Sequence, residues 1–347
     1  MESLHVSEIV EPLEWNENVR ALDGCCFHSW EWCRYSSEKN KTRPLFFQLY
    51  SDGSLPKAVA VGFVTVKRLA GLQIHKRLSF GSLPAAVDAG YRQAMGRKII
   101  KYSQNHGYAI LGVNSFGTPI DEPLITGRGV SCHRRYEFLV DLTLTPEELW
   151  KKIHGKKRNL IRKGKKAGLT IRRATHFEEV MIYRELAADT LKRKSEQGIP
   201  FPNVDEASHY KLMKNRLIDT GLGRLYLAFN GNTPLAGAFF VGYNRQVYYM
   251  LSAANAEGLS LAAPDLILWT CMGDYQQEGY TLFNLGGLSE LELNGQPLEN
   301  SGLYHFKKRF SSDVYPCYKE QLDLRPVANR INNALKKIPT ILKGRRH

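Results

Sequence analysis

One pattern occurs in each half of the chain and constrains the fold more than any other feature. Residues 45–66 and residues 224–243 both read as an apolar run, a turn-rich break and a second apolar run. Asp52-Gly53 and Asn230-Gly231 supply residues that are typical of the turns between paired strands. Each segment is therefore predicted to form a β-hairpin.

A second shared pattern follows each hairpin, in which a helical segment stops at a glycine and runs into a short apolar strand. The two copies are NHGYAILGV at residues 105–113 and QEGYTLFNL at residues 277–285, and their tyrosines, Tyr108 and Tyr280, lie about half the chain apart. Chance resemblance is the alternative, but the order of the pieces favours an internal duplication. The chain is therefore predicted to have an α/β (α+β) fold of two lobes, each with a mixed central sheet flanked by helices.

The boundary between the lobes is predicted near residue 133, because a strand-like segment, YEFLVDL, follows it. A chain of 347 residues is long enough for two compact domains. We expect residues 1–133 to form the first lobe, residues 134–325 the second lobe with the presumed ligand site, and residues 326–347 a basic tail. Helical spacing of the tail's apolar residues predicts a partly helical segment that contacts an anionic membrane surface or an acidic partner, or docks on the protein itself.

The net charge of the chain is +14, a sign that attracts phosphates, nucleic acid or an anionic membrane. Residues 151–173 alone contain eleven Lys or Arg and no Asp or Glu. Arg158 and Arg162 in this run are four residues apart and would share one face of a helix, so we predict that both contact phosphate. No aromatic residue lies between Trp150 and Phe177, which argues against base stacking by this segment. A solvated helix face that binds nothing is the alternative.

The basic run follows a well-defined helix start. Thr145 occupies the N-cap, Pro146 the first turn and Glu148 the capping-box position. Apolar residues continue at near-helical spacing at Leu149, Ile153 and Leu160. The run is therefore predicted to be partly helical, with interruptions at Gly155 and Gly164.

Residues 246–272 read as a strand, a glycine-containing loop and a helix that begins near Ser260 or Pro264. The N–H groups of such a loop, with the positive end of the helix behind them, can bind an anion without a charged side chain. A capping loop that binds nothing is the alternative. Gly286 and Gly287, which follow the next strand, permit either a close backbone approach to a ligand or a sharp turn.

The stretch GLYHFKKRF at residues 302–310 places three cations between two phenylalanines. Phe306 and Phe310 are four residues apart, so both rings lie on one face of a helical turn and can anchor it to a core. Lys307 is then predicted to be held toward a ligand anion, while the two cations after it are more exposed. Solvated surface is again the alternative.

The amino terminus lacks the basic and apolar regions of a signal peptide, and no apolar run is long enough for a membrane span. The expected location is the cytoplasm, with peripheral association at the inner face of the membrane as a further expectation. The six cysteines are then expected to be reduced thiols. In CCFHSWEWC the adjacent Cys25 and Cys26 do not match the usual C-x2-C ligand spacing, so we predict buried thiols on an amphipathic helix and no metal site.

Together these pieces resemble the Fem-type (FemAB-like) aminoacyltransferases and their GNAT-fold acyltransferase relatives, which have two tandem GNAT-like lobes. The resemblance covers most of the chain. It depends on ELWKKIHGKKRNLIRKGKKAGL (148–169), TLKRKSEQGIP (190–200), YYMLSAANAEGLS (248–260), GYTLFNLGG (279–287) and GLYHFKKRF (302–310). It implies an N-acyltransferase that moves an acyl or aminoacyl group from an activated donor to an amine.

The resemblance also implies roles for particular residues. Lys307 matches the lysine that stabilises negative charge at the acceptor or reaction centre. Apart from the resemblance, Tyr248, Tyr249 and Tyr304 are possible proton donors or substrate contacts, with packing as the alternative. The loop that receives the donor's phosphates corresponds to Gly258–Ser260. The remaining candidates are Asn255 and Leu259 for the donor, and Arg158, Arg162, Arg193, Gly286 and Gly287 for the substrate.

The activated donor is expected to be acyl-CoA, acyl carrier protein or aminoacyl-tRNA, with no tightly bound cofactor. The chain departs from the family pattern in two places. For coenzyme A, it has Asn255, Gly258 and Ser260 where GNAT enzymes have Arg or Gln before G-x-G or G-x-A. For transfer RNA, residues 190–220 are too short for the coiled-coil arm of some Fem-type enzymes. No Cys-His or Ser-His-Asp pattern emerges, so direct attack in a ternary complex is expected. The acceptor amine is expected on a cell-envelope or peptidoglycan precursor. The alternative function is a noncatalytic basic module that binds nucleic acid, without DNA specificity, or anionic membrane.

Overall fold

The computed structural model describes residues 2–69, 72–118, 122–198, 203–290, 296–310 and 313–326, together with Asn329. The predicted basic tail at 326–347 lies almost entirely outside the described residues. The strands are β1 (Ser3–Ser7), β2 (Arg43–Tyr50), β3 (Ala58–Leu69), β4 (Leu72–Phe80), β5 (Ala85–Ala86), β6 (Ile110–Asn114), β7 (Val130–Asp141), β8 (Thr170–Arg173), β9 (Gly223–Asn230), β10 (Thr233–Tyr243), β11 (Gln246–Ala254), β12 (Leu282–Ser289) and β13 (Asp313–Asp323). The helices are α1 (Pro12–Ala21), α2 (Trp30–Asn40), α3 (Ala89–Asn105), α4 (Pro146–Lys152), α5 (Gly155–Lys166), α6 (Phe177–Glu196), α7 (Ala207–Met213), α8 (Ala256–Ser260), α9 (Ala263–Gln277) and α10 (Gly302–Lys308).

The chain forms two compact units. The first takes the residues up to 24, residues 40–134 and those from 317 onward, and the second takes residues 25–39 and 135–316. Helix α2 therefore belongs mainly to the second unit, and the carboxyl-terminal part of β13 belongs to the first. The units interleave in sequence, whereas the lobes proposed from the sequence are continuous segments.

Both units contain a sheet with the same succession of strand directions. The strand order is β1-β2-β3-β4-β6-β13 in the first unit and β8-β9-β10-β11-β12-β7 in the second. Neighbouring strands along each order are antiparallel, except for one parallel pair in each unit, β4 with β6 and β11 with β12. This repetition confirms the predicted fold class of two lobes with mixed central sheets.

Both predicted hairpins are present. β2 pairs with β3, and β9 pairs with β10, in antiparallel register. Gly231 in the turn between β9 and β10 has a φ of 57°, a conformation that suits glycine. Gly107 and Gly279, which follow the predicted helices, also have positive φ values, 72° and 82°. Glycine at this position ends a helix at little steric cost, and the chain then enters β6 and β12 as predicted.

The basic run folds into α4 and α5. Gly155 begins α5, so an interruption at this glycine is confirmed. The predicted interruption at Gly164 is wrong, because α5 continues through it. A Cβ at Gly164 would lie 3.2 Å from the Cβ of Leu266, so the glycine lets α5 pack closely against α9. The buried apolar residue of α5 is Ile161 rather than the half-buried Leu160.

Cys25, Cys26 and Cys33 are buried, as predicted. They do not share one amphipathic helix, since Cys26 lies in a short 3-10 turn and Cys33 lies in α2. Within the described ranges, no group of three or more His, Cys, Asp or Glu could hold a metal ion.

Of the helices that the structure describes, none combines the length and the apolar character that crossing a membrane requires.

Candidate active site

The parallel strands β11 and β12 separate soon after they begin to pair. Gln246–Tyr248 of β11 pair with Leu282–Asn284 of β12. β11 continues to Ala254 and β12 to Ser289, and across these described residues the two strands make no further pair. We call the gap that opens beyond Tyr248 and Asn284 the fork. Two strand edges that face a gap present N–H and C=O groups to an extended ligand.

A bulge in each strand accompanies the fork. In β11, Met250 is the extra residue against β10. In β12 the register against β7 shifts between Asn284 and Gly287, and Gly286 within the shift has a φ of 73°. A bulge bends its strand and increases the local twist, so two bulges beside one parallel pair separate the strands. Glycine suits this position because the left-handed conformation costs other residues roughly 1–2 kcal/mol.

Lys307 reaches the fork from α10. Its side chain is buried, and its Nζ donates a hydrogen bond to the carbonyl oxygen of Gly287 at 3.0 Å. A Cβ at Gly286 would lie 3.3 Å from this Nζ and 3.4 Å from the carbonyl oxygen of Tyr249. The glycine therefore leaves room for an ammonium between the edges of β11 and β12. The structure thus brings together three of the predicted residues, the lysine and both glycines.

A buried carboxylate fixes the bulge in β12. Glu137 on β7 is fully buried and lies opposite Gly287. It accepts hydrogen bonds from the hydroxyl of Tyr248 and from Nδ2 of Asn284, the latter at 2.7 Å. Oδ1 of Asn284 accepts in turn from the N–H of Gly286 at 2.8 Å. The side chains at the base of the fork are therefore linked by hydrogen bonds to the backbone that seats the lysine.

Sequence reasoning named Tyr248 but missed Glu137 and Asn284. Each stands inside an otherwise apolar strand, in YEFLVDL and in TLFNLGG. Buried strand positions rarely hold a carboxylate or an amide without hydrogen-bond partners, so these two residues carried a usable signal.

Phe306 and Phe310 hold α10 in place. Phe310 is buried in the core of the second unit, Phe306 packs against that core, and their ring centroids are 5.8 Å apart. This confirms the predicted anchoring. The ring of Tyr304 packs edge to face against Phe138 at 5.7 Å, and its role in chemistry stays a prediction.

The predicted donor loop is largely helical. Asn255 caps α8, since its Oδ1 accepts from the N–H of Gly258 at 2.7 Å. A Cβ at Gly258 would lie only 2.2 Å from the carbonyl oxygen of Leu235, so the close approach of two backbone segments requires glycine here. The hydroxyl of Ser260 donates to a carbonyl of the same turn, and Leu259 is exposed. These residues form an ordered turn that follows the open end of the fork, and α9 then begins next to Pro264, as predicted.

The predicted arginines lie on two helices. NH1 of Arg193 on α6 donates to the carbonyl oxygen of Ala254 at 2.8 Å, which ties α6 to the end of β11. Arg158 on α5 is half-buried. Arg162 is exposed, and its guanidinium lies 5.3 Å from the ring centroid of Trp150.

One cation of the basic run is buried, and sequence reasoning missed it. Lys157 forms an ion pair with Asp265 in the first turn of α9, and the two side chains are only 4% and 10% exposed. Its Nζ lies 3.8 Å from the ring centroid of Phe306 and 4.8 Å from that of Phe310. Burial lowers the pKa of Lys157, while Asp265 opposes that shift. Its spacing of four residues from the buried Ile161 was the available signal.

Two family models match the sequence. Residues 151–308 match an acetyltransferase (GNAT) domain, and residues 90–197 match the FemAB family. No curated protein matches the chain.

Solved structures with related folds cover almost the whole chain. A crystal structure of FemX aligns with a TM-score of 0.74 at 14% identity, over 94% of this chain and 99% of that one. The C-terminal domain of a putative lysylphosphatidylglycerol synthetase from Agrobacterium fabrum gives 0.57 at 13% identity, over 94% and 96% of the two chains. A tandem GNAT protein from the clavulanic acid biosynthesis pathway gives 0.51 at 11% identity, over 93% and 99%. These likenesses show the tandem GNAT-like fold, and the two family matches, which together span residues 90–308, indicate an acyltransferase.

Proposed function

We propose that the chain transfers an acyl or aminoacyl group from an activated ester or thioester to an amine at the fork. The observation that carries this proposal is the buried Lys307 side chain beside the gap between β11 and β12. An ammonium fixed in advance at the place where an oxyanion develops stabilises the transition state without reorganising. Because the Lys307 side chain is buried, that interaction is screened less than it would be in water.

The reaction is a direct attack within a ternary complex. The acceptor nitrogen attacks the donor's carbonyl carbon and forms the C–N bond, and Lys307 stabilises the negative charge that develops on the carbonyl oxygen. The C–S or C–O bond to the leaving group then breaks. The nitrogen loses a proton, and the leaving thiolate or alkoxide takes one up. Because the amine attacks the donor directly, the reaction needs no covalent enzyme intermediate. Tyr304, on the same helix as Lys307, is proposed to contact the substrate.

The donor is proposed to lie along the fork. From Tyr249 to Asn255 the chain advances about six residues, which at about 3.3 Å per residue spans roughly 20 Å. This length suits a donor whose reactive carbonyl and phosphates are far apart, as in acyl-CoA, acyl carrier protein or the end of an aminoacyl-tRNA. The turn at 255–260 is proposed to contact the part of the donor that is remote from the carbonyl.

The acceptor is proposed to be an anionic, amine-bearing precursor of the cell envelope or of peptidoglycan, reached at the inner face of the membrane. The many exposed cations of α5 support an anionic ligand, and we propose Arg158 and Arg162 as its contacts. Arg193, Gly286 and Gly287 remain proposed contacts for the substrate. One of the aligned proteins is named for an aminoacylated phospholipid, which is consistent with transfer to an envelope component.

The experiment begins with mass spectrometry of ligands retained on purification, followed by turnover assays with the donor so identified. Lys307→Met keeps the bulk of the side chain and removes its charge. We expect turnover to fall about a hundredfold, equivalent to about 3 kcal/mol, with thermal stability near that of the parent. Lys308→Met is the matched control and should change turnover less than about twofold, since that side chain is more exposed than the buried Lys307.

Normal turnover in folded Lys307→Met would contradict the proposal. Tight, strongly salt-dependent binding to random DNA, with no turnover of any donor, would favour the basic binding module instead.

A further inference from the structure

We propose that Lys157 is a positioning residue for Lys307. Its ammonium, held by Asp265, fixes the rings of Phe306 and Phe310 so that α10 presents Lys307 to the fork. The catalytic consequence of this inference rests on the proposed function, whereas the positioning itself is a claim about structure alone.

Several contacts join the start of α5 to α10. Besides the contacts of Lys157 with the two rings, the N–H of His154 donates to the carbonyl oxygen of Arg309 at 3.0 Å. The N–H of Phe310 donates to the carbonyl oxygen of Lys307 at 2.9 Å. Because the two rings flank Lys307 in sequence, Phe306 on α10 and Phe310 just after its end, a displacement of either ring moves the backbone that carries Lys307.

Stability alone does not account for a buried ion pair in this place. Removing both charges of Lys157 and Asp265 from water is costly, and replacing such a pair by apolar residues of equal volume is often neutral or stabilising. The Lys157 ammonium orients the two rings, because it is attracted to the faces of both while the Asp265 carboxylate holds it from the side of α9. An apolar residue would fill the volume without fixing the orientation of the rings.

The test follows the Lys307 ammonium directly by NMR. The full chain is labelled with ¹⁵N-lysine, and the Lys307 signal is assigned by its loss in Lys307→Met. We expect Lys157→Met to shift or broaden this signal, since the ammonium loses its fixed place near the Gly287 carbonyl. Lys157→Arg should retain the signal, because a guanidinium can pair with Asp265 and stack on the rings. Lys163→Met, at an exposed position of the same helix, should also retain it.

An unchanged Lys307 signal in folded Lys157→Met would overturn the proposal. If Lys157→Met does not fold, Phe306→Leu replaces it, since this change removes the nearer ring and leaves the ion pair. A shifted Lys307 signal in Phe306→Leu supports the proposal, and an unchanged one overturns it.

Turnover gives an independent readout once the donor is known. Lys157→Met should lower kcat about tenfold or more while KM stays within about twofold, because the substrate contacts remain and the catalytic group is displaced. In a Lys307→Met background the same change should have no further effect on kcat. A persisting loss there would show a general structural effect and overturn the inference. Normal turnover in Lys307→Met would defeat the proposed function, whereas the NMR result tests the positioning separately.

Discussion

The two units contain the same parallel strand pair, but only the second opens into a fork. In the first unit Arg77–Phe80 pair with Ile110–Val113, up to the last residue of β4. In the second unit the pairing stops at Tyr248 and Asn284, well before β11 ends. The two units therefore share a strand topology without sharing the fork. The difference lies in where the bulges fall. β11 and β12 are each bulged just beyond the end of their pairing, whereas the bulge of β4 against β3, at Ile74, comes before its pairing with β6 begins.

The buried carboxylates of the two units also differ in how they are held. Glu320 in the first unit accepts from the backbone N–H groups of Leu124 at 2.9 Å and Ile125 at 2.6 Å, and so fixes a loop. Glu137 in the second unit is held by side chains, the hydroxyl of Tyr248 and the amide of Asn284. A backbone N–H can only donate, whereas a tyrosine hydroxyl can also accept.

The largest predicted effect tests this difference in donors. Glu320→Gln should lower the free energy of unfolding by about 2 kcal/mol, because the amide group of Gln cannot accept from both backbone N–H groups. Glu137→Gln should cost less, because the Tyr248 hydroxyl can turn and accept from the new amide. Urea unfolding of both variants at neutral pH measures the two costs. Equal costs would show that the phenol is as fixed as a backbone donor.

The next prediction concerns the glycines of the two parallel pairs. Gly286→Ala should cost about 1 kcal/mol because of the positive φ. Its Cβ would also press on the Lys307 ammonium, so turnover should fall about tenfold. Gly112→Ala in the closed pair is the matched control. There the new Cβ meets the flexible end of Arg77, which can move aside, and turnover should not change.

Two outcomes would contradict the prediction for these glycines. Unchanged turnover in Gly286→Ala would show that the fork tolerates a methyl group beside the ammonium. A similar loss of turnover in Gly112→Ala would show that activity depends on general stability and not on the fork.

Much of the fold could be predicted because local chemistry decides it. The capping box of Thr145 and Glu148 forms as the sequence indicates, and so do the hairpins and the helices that end at Gly107 and Gly279. Each of these features depends on residues that are close together in the sequence. The short helix α8 was predicted as a loop, since five residues show little periodicity and Gly258 reads as a flexible residue.

The fork itself could not be predicted, because a bulge is a relation between strands that are distant in sequence. Met250 is an extra residue only against β10, and Gly286 only against β7. The burial of Lys157 could not be predicted either. Its carboxylate partner lies 108 residues away, and nothing within the basic run distinguishes a buried lysine from its exposed neighbours except its phase on the helix.

The helices that connect the two parallel pairs differ at their carboxyl ends, and this difference supports the smallest prediction. After α3, the ring of His106 stacks on Tyr102 with centroids 3.9 Å apart. After α9, the carboxylate of Glu278 accepts from NH1 of Arg224 at 2.8 Å and from NH2 of Arg173 at 3.1 Å. These two arginines, Arg224 foremost, lower the pKa of Glu278. The carboxyl end of α9 is therefore held by ion pairs of Glu278, and a low pH should weaken these ion pairs.

The sign of the pH effect follows from that lowered pKa. The folded protein binds the Glu278 proton more weakly than the unfolded chain does, so the ionised carboxylate stabilises the fold above a pH near 4.5, and this contribution is lost as the pH falls through the folded value. Since these groups are partly exposed, Glu278→Gln should cost only about 0.5 kcal/mol at pH 7, and the difference from the parent should be smaller at about pH 3. Urea unfolding at both pH values measures this. A Glu278→Gln cost that is the same at both pH values would mean that the arginines do not hold the end of α9 through charge, and the two connecting helices would then be alike in this respect.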